Sequence, residues 1–442
     1  MDKKDKIRRR QFLKKGAGLI AGIFTVPSII PATVLGRNGA IAPSNKITFG
    51  CIGVGWQGTT NMENFLGLSD TRIIAVCDVD KNHLENARQI VNNHYGNNDV
   101  ATYSDYRELL EREDIDAVSL GLPDHWHAIP AVAAAAAGKD IFGEKPLAHT
   151  IAEGRAIVNA VTEFGRIWQT GSWQRSQDKF RFAAELIRNG RIGKIQRVEV
   201  GLPAGHTDFA GTQHLNKIIS VPPELDYEFW IGPAPMQPYV PAKIHKNWRW
   251  VLDFGGGQIL DWVGHHLDIA HWGLGMEYTS PVEIEGFGEY PLEGIWNTAT
   301  RYKVYTKYQN GIELILAGGY EDVCFGKMGT LWIGESGWVW VDRSGIDASP
   351  KSLLKETFGP NEIHLFRSPG HWRNFVDCIK SREITLAPAE VAHRSATPGH
   401  LGQISMLLGR KIKYDPVNEI ILDDETAQSM LSNAFRSPWF LS

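Results

Sequence analysis

Gly53, Gly55 and Gly58 fall in residues 47–58, ITFGCIGVGWQG, where a short apolar strand opens into G-x-G-x-x-G. A second apolar strand, Arg72 to Cys77, ends in Asp78, 20 residues past Gly58. Strand, glycine turn, helix, strand and terminal acid in one unit of about 30 residues specify dinucleotide binding far better than the glycines alone. Gly53 permits the tight turn, Gly55 lets the backbone approach a pyrophosphate, and Gly58 lets the helix pack on the strand. The free N–H groups of the helix face the phosphates. Asp78 would accept hydrogen bonds from a ribose 2′-OH. Neither Val79 nor Asp80 offers a cation for a 2′-phosphate, so NAD is expected rather than NADP.

Two further groups carry chemistry. Glu144-Lys145-Pro146 closes a short strand at 140–143, at the sheet edge that lines a cofactor crevice. A lysine there can bind a substrate hydroxyl and stabilise alkoxide charge. The second group follows the glycine run 255–257. Asp261, His265, Asp268 and Trp272 recur at helical spacing and share one face. A carboxylate one turn from an imidazole can orient the ring, and the imidazole can take a proton. His265, His266, Asp268 and His271 are also possible metal ligands. Consecutive histidines diverge by about 100° on a helix, however, so the site is read as metal-free. Trp173, Trp230, Trp248, Trp250 and Trp262 crowd one region of a chain with 15 tryptophans. Most are core, and one or two are candidate sugar platforms. Arg175 and Arg249 are candidate hydroxyl or carboxylate binders.

The elements that must position these groups alternate. Helices are expected at 81–93, 105–111 (capped by Ser104), 128–137 and 150–164. Strands are expected at 100–103, 115–122, 140–143 and 167–171. This is the pattern of a doubly wound parallel sheet. After about residue 172 it changes to strands at 195–201, 282–288, 298–307, 312–317, 329–334 and 338–342, with Asn310-Gly311 as a hairpin turn. The fold class is therefore α/β: a Rossmann domain over 43–172, then an α+β domain with an open, mostly antiparallel sheet over 173–442. The irregular stretch 202–250 is expected to cover a cleft. Helices near 180–189, 371–382, 400–410 and 425–434 complete the second domain.

Residues 1–42 read as an export segment. Arg9-Arg10-Gln11-Phe12-Leu13-Lys14 resembles the twin-arginine motif, ahead of a weakly apolar run at 16–26. That run is too short and glycine-rich for a good transmembrane helix. A periplasmic protein exported folded, with its cofactor aboard, is expected, membrane-associated if the leader is retained. Residues 1–36 hold eight Lys/Arg against two Asp/Glu, so the rest of the chain carries −10 of the overall −4. That mild acidity argues against a nucleic-acid partner. The 4 cysteines show no disulfide or zinc spacing.

Together these residues resemble the Gfo/Idh/MocA family, the group of glucose-fructose oxidoreductase and inositol dehydrogenase. The markers are the glycine fingerprint, Pro123…His127, Ala136-Ala137-Gly138-Lys139, Glu144-Lys145-Pro146, Gly190 to Lys194, Gly255-Gly256-Gly257, and Asp261 with His265. The resemblance implies Lys145 as the active-site lysine and His265 as the catalytic histidine, partnered by Asp261. Expected cofactor contacts are Gly53, Val54, Gly55, Trp56, Gln57, Gly58, Asp78, Leu122, Pro123, His127, Glu144 and Lys145. Expected substrate contacts are Trp173, Arg175, Arg249 and His266. The implied substrates are sugars, polyols and their keto forms, and the implied assembly is a homodimer or homotetramer. The implied reaction moves hydride between nicotinamide and a secondary alcohol or ketone. Some relatives with this fold and a leader are glycosidases that oxidise C3 transiently, and they tend to lack D-x-x-x-H. A non-catalytic NAD-binding protein is the alternative of another class, against which the intact Lys145/Asp261/His265 set argues.

Overall fold

The structure is a computed structural model that describes residues 45–441. The twin-arginine segment lies outside the described residues. The first half is a six-stranded parallel sheet: β1 (Ile47–Ile52), β2 (Thr71–Cys77), β3 (Ala101–Tyr103), β4 (Ala117–Leu120), β5 (Asp140–Gly143) and β6 (Trp168–Thr170). Its order is β3-β2-β1-β4-β5-β6, the doubly wound arrangement expected, with the reversal of winding between β1 and β4. Helices α1 (Trp56–Leu66), α2 (Lys81–Tyr95), α3 (Tyr106–Leu110), α4 (Ala128–Ala136) and α5 (Ile151–Glu163) connect the strands.

Local chemistry sets the helix boundaries. The Asp80 carboxylate accepts from the backbone N–H of Asn82 and His83 to start α2, and Gly96 ends it at φ 66°. Thr150, expected as the first residue of α5, is instead its cap, with its hydroxyl accepting from Glu153 N–H. The cap of α3 is Asp105 rather than Ser104, because its carboxylate reaches the Arg107 N–H at 2.9 Å.

The second half begins with α6 (Asp178–Arg188) and β7 (Ile195–Leu202). A cover segment follows, irregular apart from α7 (Tyr227–Ile231) and two 3₁₀ turns. Next come α8 (Gly257–Leu274) and the strands β8 (Glu283–Glu289), β9 (Arg301–Lys307), β10 (Glu313–Gly318), β11 (Gly329–Gly334), β12 (Gly337–Val341) and β13 (Ile346–Ser349). Then follow α9 (His371–Ser381), α10 (Ala389–Leu408), β14 (Ile412–Asp415), β15 (Ile420–Leu422) and α11 (Glu425–Ser429). The nine strands form one sheet in the order β13-β12-β11-β7-β10-β9-β8-β14-β15. Every pair is antiparallel except β7 with β10.

Helices α8 and α10 pack against each other and both lie on this sheet, α8 over β7 and β11 and α10 over β8. The close approach of α8 and α10 depends on Gly399, where a Cβ would meet Leu260 and Val263 side chains at 3.1 and 3.2 Å. Helix α10 starts 11 residues before the position expected and runs through Pro398. Its buried small side chains favour tight packing over the cost of one missing N–H. Among the described residues no helix is long and apolar enough to cross a membrane.

The interior holds many histidines. His125, His266, His271 and His400 are buried and pushed down to about 3, and His127, His149 and His371 to about 4, in each case chiefly by burial. Their folded values lie below the free imidazole value, so the unfolded chain binds protons that the folded chain refuses. The stability they allow is complete above about pH 6.5 and is lost as pH falls toward the folded values. On their account the thermal midpoint should fall steeply from about pH 6.5 to 4.5, while Asp124 and Glu153, raised to about 8 by burial, make it decline slightly as pH rises from about 7 to 8. A midpoint unchanged down to about pH 5 in calorimetry would show that these rings do not sit neutral in the fold.

Candidate active site

The cofactor turn is built by backbone-to-backbone contact. Gly53 leaves β1 at φ 74°, and a Cβ there would lie 2.6 Å from the Gly121 carbonyl oxygen. At Gly58 a Cβ would lie 1.8 Å from the Gly53 carbonyl oxygen. Gly121, at the end of β4, would meet the Gly58 Cα at 2.5 Å, so three glycines interlock. Gly121 was not among the expected residues. The signal for it is a glycine interrupting an otherwise apolar strand.

Helix α1 starts at Trp56 with no side-chain cap and no acid in its first turn. Its free N–H groups therefore await an anion. Asp78 steadies the same turn: one carboxylate oxygen accepts from Val54 N–H at 2.8 Å and the other from Asp80 N–H at 2.9 Å. These features fit a dinucleotide. Gly53, Gly55, Trp56, Gln57, Asp78, Leu122 and Pro123, all expected cofactor contacts, line a cavity of about 400 Å³. Gly58 works from below as the packing glycine.

His83 stands beside Asp78 at 3.8 Å. Burial opposes its protonation, but the Asp78 carboxylate outweighs burial and raises its pKa. Asp80, His83 and His245 bring ligand atoms within 4.8 Å of one another, the one such trio among the described residues. One Asp80 oxygen is already committed to capping α2.

The cover segment is tied to this end of the cleft. Lys81 N–H donates to the Glu224 carbonyl at 2.9 Å, and Asp226 N–H to the Val79 carbonyl at 3.0 Å. Phe209, Trp230, His245, Lys246, Trp248 and Arg249 from this segment line the cavity, so the stretch covers a cleft as expected.

At the other end of the cavity Lys145, Glu144, Trp173, Arg249, Asp261, Trp262, His265 and Arg343 converge. Lys145 leaves the end of β5. Its ammonium donates to the Asp261 carbonyl at 2.8 Å and to the Asp261 carboxylate at 2.7 Å. Arg249 Nε donates to the same carboxylate oxygen at 2.9 Å. Burial works against the Asp261 charge, but Lys145 and then Arg249 outweigh it and hold the carboxyl well below its usual range. Glu144 is pushed up by burial, with Asn61 donating to it at 2.8 Å. Asp124, buried nearby, is pushed up to about 8 by burial.

The His265 ring sits at an angle to Trp173 and Trp262, with centroids 6.3 and 5.4 Å away. Its Nδ1 is buried without a partner. Burial, then the charges of Lys145 and Arg343, hold its pKa well below 6.5, so the ring is neutral.

Several expected roles change. Asp261 does not orient His265: its carboxylate is taken by Lys145 and Arg249. His127 is not a cavity residue. Its nitrogens bridge the carbonyls of Pro146 and Leu122 at 2.7 and 2.9 Å, which positions both cofactor-side loops. Arg175 is not a substrate contact, because Asp268 binds it twice, at 2.6 and 2.9 Å, in the core. His266 is fully buried and stacks on Trp262 at 5.7 Å, away from the cavity. Val54 contributes its N–H to Asp78, while its side chain joins the core. Trp250 is core, whereas Trp173, Trp230, Trp248 and Trp262 line the cavity. Arg343 was missed because it stands alone in a turn far along the chain.

Comparison with known proteins agrees with this geometry. A family model described as an oxidoreductase family NAD-binding Rossmann fold matches residues 47–172. Its companion, the family's C-terminal alpha/beta domain, matches residues 179–441. The chain is 37% identical over 161 residues to glycosyl hydrolase family 109 protein 1 of Shewanella sp. strain MR-4, covering 33% of this chain and 35% of that one. It is 35% identical over 167 residues to an alpha-N-acetylgalactosaminidase of Shewanella oneidensis, covering 35% of this chain and 36% of that one. The matches thus span about a third of these relatives' length.

Among solved structures, the fold is shared with the WlbA dehydrogenase from Bordetella pertussis in complex with NADH and UDP-GlcNAcA (TM-score 0.61, 16% identity, 84% of this chain and 99% of that one). It is also shared with myo-inositol 2-dehydrogenase from Lactobacillus plantarum (TM-score 0.58, 17% identity, 84% of this chain and 100% of that one).

NAD is the cofactor of this turn, and two variants test how it is held. Gly58→Ala drives a methyl into backbone and should abolish NAD binding along with much of the stability. Asp78→Ala removes the brace on Val54 and the carboxylate expected to accept from the ribose, and should weaken NAD by about 1.5–3 kcal/mol in calorimetry. Tighter binding of NADP than NAD by the unaltered protein would show that Asp78 does not face the ribose.

Proposed function

We propose that this chain, which belongs to the Gfo/Idh/MocA oxidoreductase family, interconverts a secondary alcohol and a ketone on a sugar, polyol or glycoside. The observation that carries the reading is the convergence of Lys145 and His265 on one cavity with the glycine turn. NAD, when bound, supplies the hydride acceptor, and the residues of this chain handle the proton and the charge. Lys145 has three N–H donors, and Asp261 takes two of them. The third is free for the substrate oxygen, where it stabilises alkoxide character. His265 is neutral and so has a lone pair for the hydroxyl proton. Asp261 and Arg249 act as positioning residues that fix the Lys145 ammonium.

The glycosidase reading is kept because the curated relatives carry glycosyl hydrolase names. It needs the same first step at C3, followed by removal of the C2 proton with loss of the aglycone from C1, addition of water at C1 with return of a proton to C2, and return of the hydride to C3. Aglycone release without net NADH would mark it. Net NADH formation from a free sugar would mark the dehydrogenase.

His265→Ala and Lys145→Ala should each lower turnover by about 10²–10⁴ while NAD affinity persists. Asp261→Asn should act through Lys145 and so resemble Lys145→Ala in kcat. The groups facing His265 are Lys145, Arg343, His266 and His371, and none of them pulls its pKa toward neutrality. The pH–rate profile should therefore lack an acid limb at the ordinary imidazole value of about 6.5. A limb at that value that vanished in His265→Ala would overturn the neutral-ring assignment. Full activity in either alanine variant would sink the mechanism.

Export through the twin-arginine route is proposed as well, on the Arg9-Arg10 motif. Replacing both residues by Lys should hold the folded protein in the cytoplasm when fractions are blotted. Unchanged export would refute that route.

A further inference from the structure

Three arginines lie at or beside the reaction end of the cleft, and two are in ion pairs. Arg175 belongs to Asp268 and Arg249 to Asp261. Arg343 has no ion pair and no side-chain hydrogen bond among the described residues, and its Nε is buried without a partner. Its guanidinium carbon lies 4.4 Å from the Trp173 ring centre and 4.5 Å from that of Trp262. These are the two indoles that flank His265. The side chain lines the same cavity as Lys145 and His265.

The turn that presents Arg343 is locked. Asp342 accepts from the N–H groups of Ser344 and Gly345 at 2.6 and 2.9 Å, and Lys179 donates to the Arg343 carbonyl. A surface arginine can swing into water. This one is fixed against two aromatic faces, which stabilise the cation but accept no hydrogen bond from its edge. A partly buried guanidinium with open donors is costly unless a ligand completes it. The indoles occupy ring-facing surface and leave the planar fork of N–H groups, whose shape matches a carboxylate.

We propose that Arg343 is a carboxylate-recognition site, and that the substrate is a sugar of the uronic-acid class, seated with its carboxylate on Arg343 and its reacting carbinol between Lys145 and His265. This rests on the reading of that end as a sugar oxidoreductase site. It also accounts for a tension in the site. Burial makes His265 a poor proton acceptor, and Lys145 and Arg343 are the two cations that add to it. The other groups facing that ring, His266 on the same helix and His371 from α9, are neutral. Lys145 stays bound to Asp261, so Arg343 is the charge that a substrate can cancel. An acidic sugar thereby makes His265 more basic on arrival, and a neutral sugar does not.

The test uses the NAD-loaded protein and three matched ligands: a methyl glucuronoside, the neutral methyl glucoside and its 6-sulfate. Calorimetry measures affinity, and nicotinamide absorbance measures oxidation. The uronate should bind about 10- to 100-fold more tightly than the neutral sugar, the scale of a charge-assisted hydrogen-bonded pair. Arg343→Gln should remove that preference while leaving NAD affinity and the thermal midpoint near the unaltered values. Arg343→Lys, which keeps a cation between the indoles but loses the fork, should recover only part of it and serves where the Gln variant does not fold.

Equal or tighter binding of the neutral or the sulfated sugar would overturn the proposal. So would a uronate preference that survives Arg343→Gln. Uronate preference with no absorbance change for any ligand would leave the recognition site standing and refute the redox reading. Oxidation of the neutral sugar alone would do the reverse.

Discussion

The Asp261 carboxylate holds two cations at once, and the geometry of the reaction end follows from that. It takes Lys145 from the edge of the parallel sheet and Arg249 from the cover segment, while it sits itself on the first turns of α8. Two cations this close and this poorly hydrated would repel strongly without it. Removal of one member of such a buried group typically costs about 3–5 kcal/mol, because the others keep their charge and lose their partner. The ammonium is thereby left with one direction in which to donate. That arrangement needs α8 very close to the end of β5. Gly264 supplies the room: a Cβ there would lie 3.1 Å from Lys145 Cβ, and its carbonyl accepts from Ser172 Oγ at 2.7 Å. Gly399 on α10 sets the helix from the other side.

The sequence made the cofactor half legible because its physics is local. A tight turn, a close helix and a terminal acid must be built from particular residue types at fixed offsets, and Gly53 and Gly58 pack as those offsets imply. The hairpin at Asn310-Gly311 was legible for the same reason: Gly311 takes φ 83°. What could not be read was set by contacts distant in the chain. Asp261 and His265 share a helix face, and spacing alone suggests a pair. The carboxylate instead turns to Lys145, 116 residues away, because a full charge outweighs a neutral ring. Arg175 met Asp268 by the same logic, 93 residues away. Strands β13, β14 and β15 were missed because they are only three or four residues long and owe their existence to the neighbours they extend. Helix α10 was cut short because Pro398 is a strong local stop signal that tertiary packing overrode.

Burial has a second effect at the site: it decides which charges survive. Burial raises Asp124 to about 8 and holds His265 well below 6.5, so both are neutral, and it raises Glu144 as well. The cations Lys145, Arg249 and Arg343 face the Asp261 carboxylate, with Asp342 next to Arg343. An excess of positive charge around a substrate oxygen favours the alkoxide and makes a nearby imidazole a weaker base. The two demands of alcohol oxidation, stabilising the anion and accepting its proton, therefore conflict within one small cavity. A site with only Lys145 could balance them at a fixed compromise. A site with a second, unpaired cation on a rigid turn can shift the balance when a ligand supplies the missing negative charge. On this view the aromatic setting of Arg343 matters as much as its charge: two indoles hold the cation in place without neutralising it, and neutralisation is left to the substrate.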